Sequence, residues 1–374
     1  MVVAGGGTGG HLFPALSLAD ELRRRNSSCE IVVIGGRGGL EEKIVPERGY
    51  RLELLGVEGL KGRRGMRRIR SLFKAVVSTF KAAMILRRLK PVGVLGSGSY
   101  SSGPVVLAAS LLRIKTAILE QNALPGMTNR LLGRFVNRVY VAFEEASAYF
   151  PSRSVILAGN PIRREMLEDF RKREKNWKTE KGKEFTILVF GGSQGAKAIN
   201  TALLDALEYL TDILGSIRVI HQTGIESYEE VKVAYERKGL LSAISDKVET
   251  CRVEVYRFIE DMSSVYSSAD LVICRAGATS LAEIMALGLA AILIPYPLAA
   301  DNHQEINAKV LSEKGAAIML RQEGLTGRVL ADEIRRLYRN PGELDALRVT
   351  SKSLGKPMSL DIITDDYMQL LGMQ

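Results

Sequence analysis

Few residues in this chain are of the kinds that mark secreted, metal-binding or membrane-spanning proteins. Its three cysteines (Cys29, Cys251 and Cys274) are scattered and lack metal-ligand spacing, so we expect buried thiols in a reducing cytoplasm. The apolar stretch from 288 to 300 contains two prolines and falls short of a membrane span. No basic segment precedes an apolar one at the N-terminus, so no secretory signal is expected. The first apolar run is short, as though residues preceded Met1.

Acidic residues are absent from residues 60 to 90, whereas this segment holds eleven basic residues. The formal net charge of the whole chain is +10, so the remaining residues are together close to neutral. The sequence therefore predicts a near-neutral protein with one strongly basic face. No aromatic stacking platform or DNA-binding motif accompanies the charge, and we expect no nucleic-acid partner.

Apolar residues in this basic segment follow helical spacing. An amphipathic helix with a basic rim can lie on an anionic membrane, where each cation near the surface adds about 1 kcal/mol. Alternatively, the apolar stripe is the core face of a domain helix, and both interpretations hold if some apolar side chains stay exposed. The candidate membrane residues are Ile69, Leu72, Phe73, Val76 and Phe80, with Arg67, Arg68, Arg70 and Lys74.

Short apolar runs bounded by glycine alternate with segments of helical period along almost the whole chain of 374 residues. This alternation is typical of βα units and predicts an α/β protein with parallel sheets. At this length two domains of ordinary size are expected. The predicted strands are residues 2–4, 31–34, 92–95, 116–119, 139–142, 155–158, 186–190, 218–221, 253–256, 271–274, 291–294 and 317–320.

A shift in composition divides the chain. The sequence Gly159-Asn160-Pro161 is followed by a charged stretch from 171 to 183, and we expect the hinge between two domains here. The second half begins as the first does, with a strand, a glycine loop and a helix. We therefore expect two Rossmann-like domains, 1–160 and 161–356, whose ligands bind at the carboxyl ends of the strands across a central cleft. The amphipathic segment 357–374 either closes the second domain or packs back on the first.

The glycine loop at residues 5–10 follows the first predicted strand and precedes a helical pattern. Its glycines fit the dinucleotide fingerprint, which also needs an acidic residue at the end of the second strand. That strand ends instead in glycines and Arg37, the only support for a cofactor with a 2′-phosphate. An NAD(P)- or flavin-dependent oxidoreductase remains a minor alternative, and no cofactor is predicted.

Two further glycine loops follow predicted strands, at residues 96–104 and 191–195. Glycine is common at tight βα turns, so each loop alone has a structural explanation. Backbone N–H groups in such loops also bind anions. Three loops together therefore argue for a ligand with more than one phosphate.

Seven blocks of sequence resemble the MurG family of peptidoglycan glycosyltransferases, in order and over almost the whole chain. They are residues 5–11, 96–104, 120–122, 159–163, 191–196, 274–283 and 301–308. The resemblance implies the GT-B fold, with the acceptor on the first domain and UDP-N-acetylglucosamine (UDP-GlcNAc) mainly on the second. It implies an inverting, metal-independent transfer of N-acetylglucosamine to lipid I, giving lipid II, by a peripheral protein at the cytoplasmic face of the membrane.

The resemblance also assigns roles to residues. The acceptor diphosphate would lie at Gly7, Thr8, Gly98, Ser99 and Tyr100. The donor would contact Thr8, Gly9, Gly10, Asn122, Arg163, Ser193, Gln194, Gly195, Phe258, Ile259, Ala278, Thr279, Glu283, His303 and Gln304. Phe258 and Ile259 would frame the uracil, Glu283 would bind the ribose hydroxyls, and His303 and Gln304 would contact the sugar.

The residue types present suit such a transfer. The reaction needs a base near the acceptor hydroxyl and positive dipoles near the departing diphosphate. His11, the only histidine in a glycine loop of the first half, is the candidate base, or it orients the acceptor hydroxyl. Backbone N–H groups at 193–195 and 277–279 can stabilise the diphosphate. No DxD-like pair lies beside a glycine turn, so no catalytic metal is predicted.

Several of these residues also have structural explanations. His11 could bond the backbone at a helix start, Ser280 and Glu283 have capping-box spacing, and Asp301 could be a helix N-cap. Phe258 and Ile259 could belong to the core. For the whole chain, two further functions fit the sequence: that of a related GT-B enzyme (a glycolipid glycosyltransferase or a UDP-GlcNAc epimerase), and that of a non-catalytic UDP-sugar-binding module.

Overall fold

The structure is a computed structural model that describes residues 1–7, 9–56, 66–180, 184–240 and 252–373. Within those ranges the side chains of 66–74, 100, 174–180 and 252 are not described. The chain divides into two compact units, Met1–Arg163 with Lys356–Gln374, and Arg164–Gly355.

The first unit is built on one parallel sheet. Its described strands are β1 (Val2–Ala4), β2 (Val32–Gly36), β3 (Arg51–Leu55), β4 (Gly93–Gly96), β5 (Lys115–Glu120), β6 (Arg138–Val141) and β7 (Val155–Leu157). They pair in the order β3-β2-β1-β4-β5-β6-β7. The described α-helices between residues 1 and 163 are α1 (Gly9–Arg25), α2 (Glu41–Glu47), α3 (Met66–Leu89), α4 (Ser99–Leu111), α5 (Met127–Leu132) and α6 (Glu144–Ser147).

The order of the strands reverses beside β1, which lies between β2 and β4. Ala4, the last residue of β1, is aligned with Gly96, the last residue of β4. The Ser97 N–H donates to the Ala4 carbonyl at 2.8 Å, which brings the loops after the two strands side by side. Such a reversal is the usual ligand position in an open α/β sheet.

Helices cover both faces of this sheet, so its strands are apolar on both sides. Because successive strand residues point to opposite faces, Val3 packs in the cluster that contains Leu16 and Tyr367, whereas Val2 packs with Leu86 and other residues of the opposite cluster.

The second unit repeats this architecture. Its described strands are β8 (Phe185–Phe190), β9 (Ile217–Gln222), β10 (Arg252–Tyr256), β11 (Leu271–Cys274), β12 (Ala291–Leu293) and β13 (Ile318–Met319). They are parallel in the order β10-β9-β8-β11-β12-β13, which reverses between β8 and β11. The helices are α7 (Arg164–Glu180), α8 (Lys197–Tyr209), α9 (Tyr228–Arg237), α10 (Met262–Ser268), α11 (Ala278–Leu287), α12 (His303–Glu313), α13 (Gly327–Arg339) and α14 (Pro341–Leu354).

The last helix, α15 (Ser359–Leu371), belongs to the first unit. Its Ile363 and Tyr367 are buried in the same cluster as residues of α1. Ion pairs from Arg25 to Asp361 and from Arg138 to Asp366 fix it at 2.6 and 2.9 Å. Of the two placements left open by the sequence, the structure has the return to the first unit.

Each of the twelve predicted strands is present, with shifts of one or two residues at most of the ends. The prediction missed β3, because Arg51 and Glu53 interrupt its apolar residues and it lies at the sheet edge. The predicted hinge region extended from Gly159-Asn160-Pro161 through the charged stretch 171–183, and the two units divide between Arg163 and Arg164. Residues 171–180 continue α7, whose buried Met166 and Phe170 anchor it in the second unit.

The expectation of buried cysteines holds only in part. Cys274 in β11 is buried, and burial raises the pKa of its thiol well above the ordinary value. Cys29 is only partly buried, because it lies in the exposed turn before β2. Cys251 lies outside the described residues.

Candidate active site

His11 lies in the first turn of α1, next to the loop that follows β4. Its Nδ1 atom is 3.0 Å from the carbonyl oxygen of Ser97. A carbonyl oxygen only accepts hydrogen bonds, so Nδ1 carries the hydrogen and the lone pair of the neutral ring is on Nε2. The backbone therefore holds His11 in the tautomer whose Nε2 atom can accept a proton.

A second side chain supports the same carbonyl. Gln121, the residue after β5, is buried, and its Nε2 donates to the Ser97 oxygen at 2.7 Å. The Ser97 carbonyl thus accepts one hydrogen bond from the candidate base and one from a buried amide. In the sequence, only membership of a block resembling the MurG family pointed to Gln121.

Residues with positive φ shape the backbone where the loop after β4 enters α4. Gly98 has φ 91°, and a Cβ atom there would lie 2.9 Å from His11 Nδ1. Ser99 has φ 74°, a left-handed conformation that costs a non-glycine residue about 1–3 kcal/mol. The Ser102 hydroxyl donates to the Ser99 carbonyl at 3.0 Å and helps hold this turn. The absence of a side chain at Gly98 leaves room for the His11 ring.

The N-terminus of α4 has the features of an anion-binding site. Its N-cap residue is Gly98, so no N-cap side chain bonds to the first N–H groups, and its first turn contains no acidic residue. The first N–H groups of a helix have no intrahelical acceptor, and the helix dipole makes this end positive. Gly98 and Ser99, two predicted diphosphate residues, are located here. The side chain of Tyr100 lies outside the described residues.

By contrast, a carboxylate of the protein already occupies the first glycine loop. The Gly7 N–H donates to Glu41 Oε2 at 2.9 Å. Gly7 was predicted to hold the acceptor diphosphate, and a phosphate at this N–H would meet the Glu41 carboxylate. Thr8 lies outside the described residues, and Gly9 and Gly10 form the first turn of α1.

A buried carboxylate also organises the residues after β5. Glu120 accepts hydrogen bonds from Asn122 N at 3.0 Å, from Gly126 N at 3.2 Å and from Asn129 Nδ2 at 2.9 Å. Burial raises the pKa of the Glu120 carboxyl. These bonds fix the backbone of Asn122, which was predicted to contact the donor. Arg163, another predicted donor contact, is the last residue of the first segment of this unit and is exposed.

In the second unit, the loop after β8 makes the corresponding glycine turn. Gly195 has φ 76°, and a Cβ atom there would lie 2.0 Å from the Thr223 carbonyl oxygen. Only glycine can approach the neighbouring backbone so closely. Ser193 and Gln194, which precede it, are exposed at the carboxyl end of β8.

Gln222, the last residue of β9, joins two loops that were predicted to bind the donor. Its Nε2 donates to the Gly192 carbonyl at 2.9 Å, and its Oε1 accepts from the Ile259 N–H at 2.8 Å. The Ile259 N–H is therefore already bonded to a side chain, while Phe258 beside it is half exposed. Gln222 was not singled out from the sequence, where it stood next to His221.

Glu283 does not form the capping box that its spacing suggested. Helix α11 begins at Ala278 with Gly277 as N-cap and without a side-chain cap, so Ser280 lies inside the helix. Glu283 is partly buried, and its Oε2 accepts from the Tyr266 hydroxyl at 3.0 Å. Ala278 and Thr279 lie in the first turn of α11, where N–H groups can face an anion.

His303 and Gln304 begin α12, but Asp301 is not the N-cap. The N-cap is Asn302, and both Asp301 and Asn302 are left-handed, with φ 53° and 56°. His303 Nδ1 donates to the Ala300 carbonyl at 2.6 Å, and Gln304 Oε1 accepts from the Tyr296 N–H at 3.0 Å. These bonds fix the orientation of the two side chains that were predicted to bind the sugar.

His221, at the carboxyl half of β9, has a structural role. The ring is buried, with Nδ1 2.9 Å from the Tyr235 hydroxyl and Nε2 3.1 Å from Asn200 Oδ1. Burial lowers the pKa of His221 to about 3, so the ring is neutral near neutral pH.

Comparison with known proteins identifies the family. The profile of the glycosyltransferase family 28 N-terminal domain matches residues 1–141, and that of its C-terminal domain matches residues 186–358. The chain belongs to glycosyltransferase family 28. Within this family it is 45% identical, over 371 residues, to the UDP-N-acetylglucosamine–N-acetylmuramyl-(pentapeptide) pyrophosphoryl-undecaprenol N-acetylglucosamine transferase of Syntrophus aciditrophicus. The match covers 99% of this chain and 98% of that protein.

Two further proteins are similar to this chain over nearly its whole length. The transferase of the same name from Myxococcus xanthus is 44% identical over 99% of this chain and 93% of its own length. The crystal structure of MurG from Acinetobacter baumannii superimposes with a TM-score of 0.78 at 31% identity, covering 98% of this chain and 99% of that one. The chain is thus a family 28 glycosyltransferase with the two Rossmann-like units of the GT-B fold.

A likeness in fold extends further than the family. UDP-GlcNAc 2-epimerase from Neisseria meningitidis, bound to UDP-GlcNAc, superimposes with a TM-score of 0.64 but at only 14% identity. It covers 98% of this chain and 99% of the epimerase chain and shows the fold alone. Within the described ranges, no group of three or more His, Cys, Asp or Glu residues is placed to hold a metal ion. No described helix is long and apolar enough to cross a membrane.

Proposed function

We propose that this family 28 chain transfers N-acetylglucosamine from UDP-GlcNAc to the C4 hydroxyl of the muramyl sugar of lipid I, forming lipid II for peptidoglycan synthesis. The observation that carries the proposal is 45% identity to a transferase named for this reaction, over 99% of the chain. The identity extends over both units, whereas the epimerases from Listeria monocytogenes and Neisseria meningitidis are 12% and 14% identical. This difference favours the transferase over the enzymes that share only its fold.

His11 is the proposed base. Its Nε2 atom accepts the proton of the acceptor C4 hydroxyl as the C4 oxygen forms a bond to the anomeric carbon of the donor sugar. The bond from that carbon to the β-phosphate oxygen breaks at the same time, and UDP leaves with the electron pair. Attack opposite the leaving group inverts the anomeric configuration. The hydrogen bond to Ser97 supports this role, since it places the ring hydrogen on Nδ1.

The second unit is the proposed site of the UDP sugar. Backbone N–H groups in the first turn of α11 and at Ser193 and Gln194 would stabilise the diphosphate of the donor. The Gly195 N–H already donates to the Gly192 carbonyl at 3.0 Å. Phe258 and Ile259 would contact the uracil, and Glu283 the ribose. His303 and Gln304 would contact the sugar, as the family resemblance implies. In the first unit, the N-terminus of α4 would hold the acceptor diphosphate.

Helix α3 is the proposed membrane contact, at the cytoplasmic face of the cell membrane. Val76, Phe80 and Met84 follow one another at helical spacing and are 62%, 63% and 50% exposed. Ala82 and Leu86, on the other side of the helix, are buried in the core. The exposed face contains Val76 and Phe80 of the predicted stripe, and it supports a peripheral membrane position.

A transfer assay with a lipid I analogue tests this function. We expect turnover with UDP-GlcNAc and much less with UDP-glucose, UDP-galactose or UDP-N-acetylgalactosamine. A His11→Ala variant should lose about a hundredfold or more in kcat, the contribution typical of a general base. UDP should raise the melting temperature and NADPH should not. Turnover with a different acceptor and none with the lipid I analogue would disprove the proposal.

A further inference from the structure

A buried carboxylate lies where a ligand anion would be expected in the first unit. Glu41 is the first residue of α2, and it is only 1% exposed. Its Oε2 accepts from the Gly7 N–H and its Oε1 from the Gly36 N–H, both at 2.9 Å. The two amides belong to the loop after β1 and to the end of β2, so one carboxylate joins the ends of two neighbouring strands.

The glycines around this carboxylate leave the space that it fills. A Cβ atom at Gly6, Gly35 or Gly39 would lie 2.1, 2.6 or 2.1 Å from a Glu41 side-chain atom. Gly6 and Gly7 also have positive φ, 153° and 83°. Glycine loops usually allow the backbone to approach a ligand phosphate, but here they allow it to approach an internal carboxylate.

We propose that Glu41 is a positioning residue that acts as the built-in anion of the first glycine loop. It would hold the loop in the shape that leads into α1 and so orient His11, four residues after Gly7. The acceptor diphosphate would then bind at the N-terminus of α4, where no acidic side chain lies in the first turn. This inference rests on the proposed transferase function and removes Gly7 from the predicted diphosphate site.

The physical reason is competition between two anions for the same donors. A phosphate at the Gly7 N–H would have to displace Glu41 or lie against it, and two like charges at that distance repel. Displacing the carboxylate would also leave it buried without the two N–H groups that stabilise it. The loop after β4 offers helix N–H groups without either penalty.

Chemical rescue tests the proposal. In a Glu41→Ala variant, we expect kcat for transfer to a lipid I analogue to fall about tenfold to a hundredfold, because His11 loses its alignment. The KM for the acceptor should change little. Formate or acetate should restore kcat in a saturable manner by filling the vacated position, whereas acetamide or sodium chloride at equal ionic strength should not.

Two further variants sharpen the result. Glu41→Gln keeps the volume but turns one acceptor into a donor that faces an N–H group, so kcat should fall and formate should not restore it. Glu42→Ala is the matched control, since Glu42 also accepts from a glycine amide, Gly38 N at 2.8 Å, but is exposed. It should retain the kcat of the wild type and show no response to formate.

Several outcomes would overturn the proposal. A Glu41→Ala variant with unchanged kcat, or with a markedly lower acceptor KM, would show that the carboxylate does not orient the loop or that it competes with the substrate. If the alanine variant does not fold, unchanged kcat in Glu41→Gln has the same meaning. Formate should also raise the melting temperature of Glu41→Ala, and this measurement does not depend on turnover. If formate stabilises Glu41→Ala but the wild type is inactive on lipid I, only the transferase function is contradicted. If the wild type is active but formate does not restore kcat in Glu41→Ala, only this inference is contradicted.

Discussion

At the residue scale, the tautomer of His11, the candidate base, depends on its hydrogen bond to one carbonyl oxygen. A second side chain bonds to the same oxygen. His11 Nδ1 and Gln121 Nε2 both bond to the Ser97 oxygen, at 3.0 and 2.7 Å. The residue type of His11 and its place after a glycine loop could be read from the sequence. Its tautomer could not, because the Ser97 carbonyl lies 86 residues away along the chain.

Gln121→Met should reduce kcat about tenfold while leaving the KM for UDP-GlcNAc unchanged, since it loosens the carbonyl that orients His11. Steady-state kinetics with both substrates varied measure this split. Thr364→Val is the control, because it also removes one buried side-chain hydrogen bond, from Thr364 Oγ1 to the Leu360 carbonyl. If both variants lose kcat only in proportion to their loss of stability, Gln121 has no positioning role.

His221 should make the second unit sensitive to acid. Its folded pKa of about 3 lies below the ordinary value of about 6.5, so between these values the unfolded chain binds a proton that the folded chain excludes. The free energy of unfolding should therefore fall as the pH decreases through this window, by up to about 1.4 kcal/mol per pH unit. Urea titrations at several pH values measure the slope. The slope should be shallower in His221→Gln, and identical slopes would contradict the assignment.

At the element scale, α3 shows why hydrophobic periodicity alone does not separate core from surface. Exposed Val76, Phe80 and Met84 recur every four residues, and so do buried Ala82 and Leu86. What separates them is the neighbouring helix α4, whose Val105 and Val106 lie in the same core cluster as Leu86. The pattern predicted an amphipathic helix correctly, and the packing assigned its two apolar sides.

Phe80→Ser should weaken binding of the protein to anionic vesicles by about tenfold to a hundredfold, because an exposed aromatic side chain contributes about 1.5–3 kcal/mol when it is removed from water. Vesicle sedimentation at low and moderate salt measures it, and salt should weaken the binding further. Turnover with a water-soluble lipid I analogue should not change. Val349→Ser, at an exposed apolar position of α14, is the control and should bind as the wild type does. Equal binding by the Phe80 variant would exclude α3 as the membrane contact.

At the scale of the whole molecule, the end of the chain completes the unit formed by its beginning. Asp366 on α15 accepts from Arg138 Nε at 2.9 Å and from the Tyr140 hydroxyl at 2.8 Å, both in β6. These contacts join residues that are 228 and 226 positions apart along the chain. The acidic face of α15 thus fixes the helix to the sheet of the first unit.

Asp366→Ala should lower the free energy of unfolding of the first unit by about 1–3 kcal/mol, since it leaves the buried Tyr140 hydroxyl without its acceptor. Denaturant unfolding followed by a probe in that unit measures the change. Asp365→Ala is a suitable comparison, because Asp365 is mostly exposed and its ion pair with Arg25 is one of several that Arg25 makes. It should have an effect within about 1 kcal/mol. Equal effects of the two substitutions would contradict this role of Asp366.

The sequence by itself determined the alternation of strands and helices, the parallel sheets, the glycine turns and the basic apolar segment. These features follow from local rules, because strand and helix periods and the backbone freedom of glycine act over a few residues. Only the tertiary structure decided that the Glu41 carboxylate lies at the first glycine loop, which unit α15 joins and which side of α3 is exposed. Glu41 reaches Gly7 across 34 residues, and Gln222 reaches Ile259 across 37. Such contacts depend on the order of strands in the sheet, which brings distant carboxyl ends together and which no local pattern records.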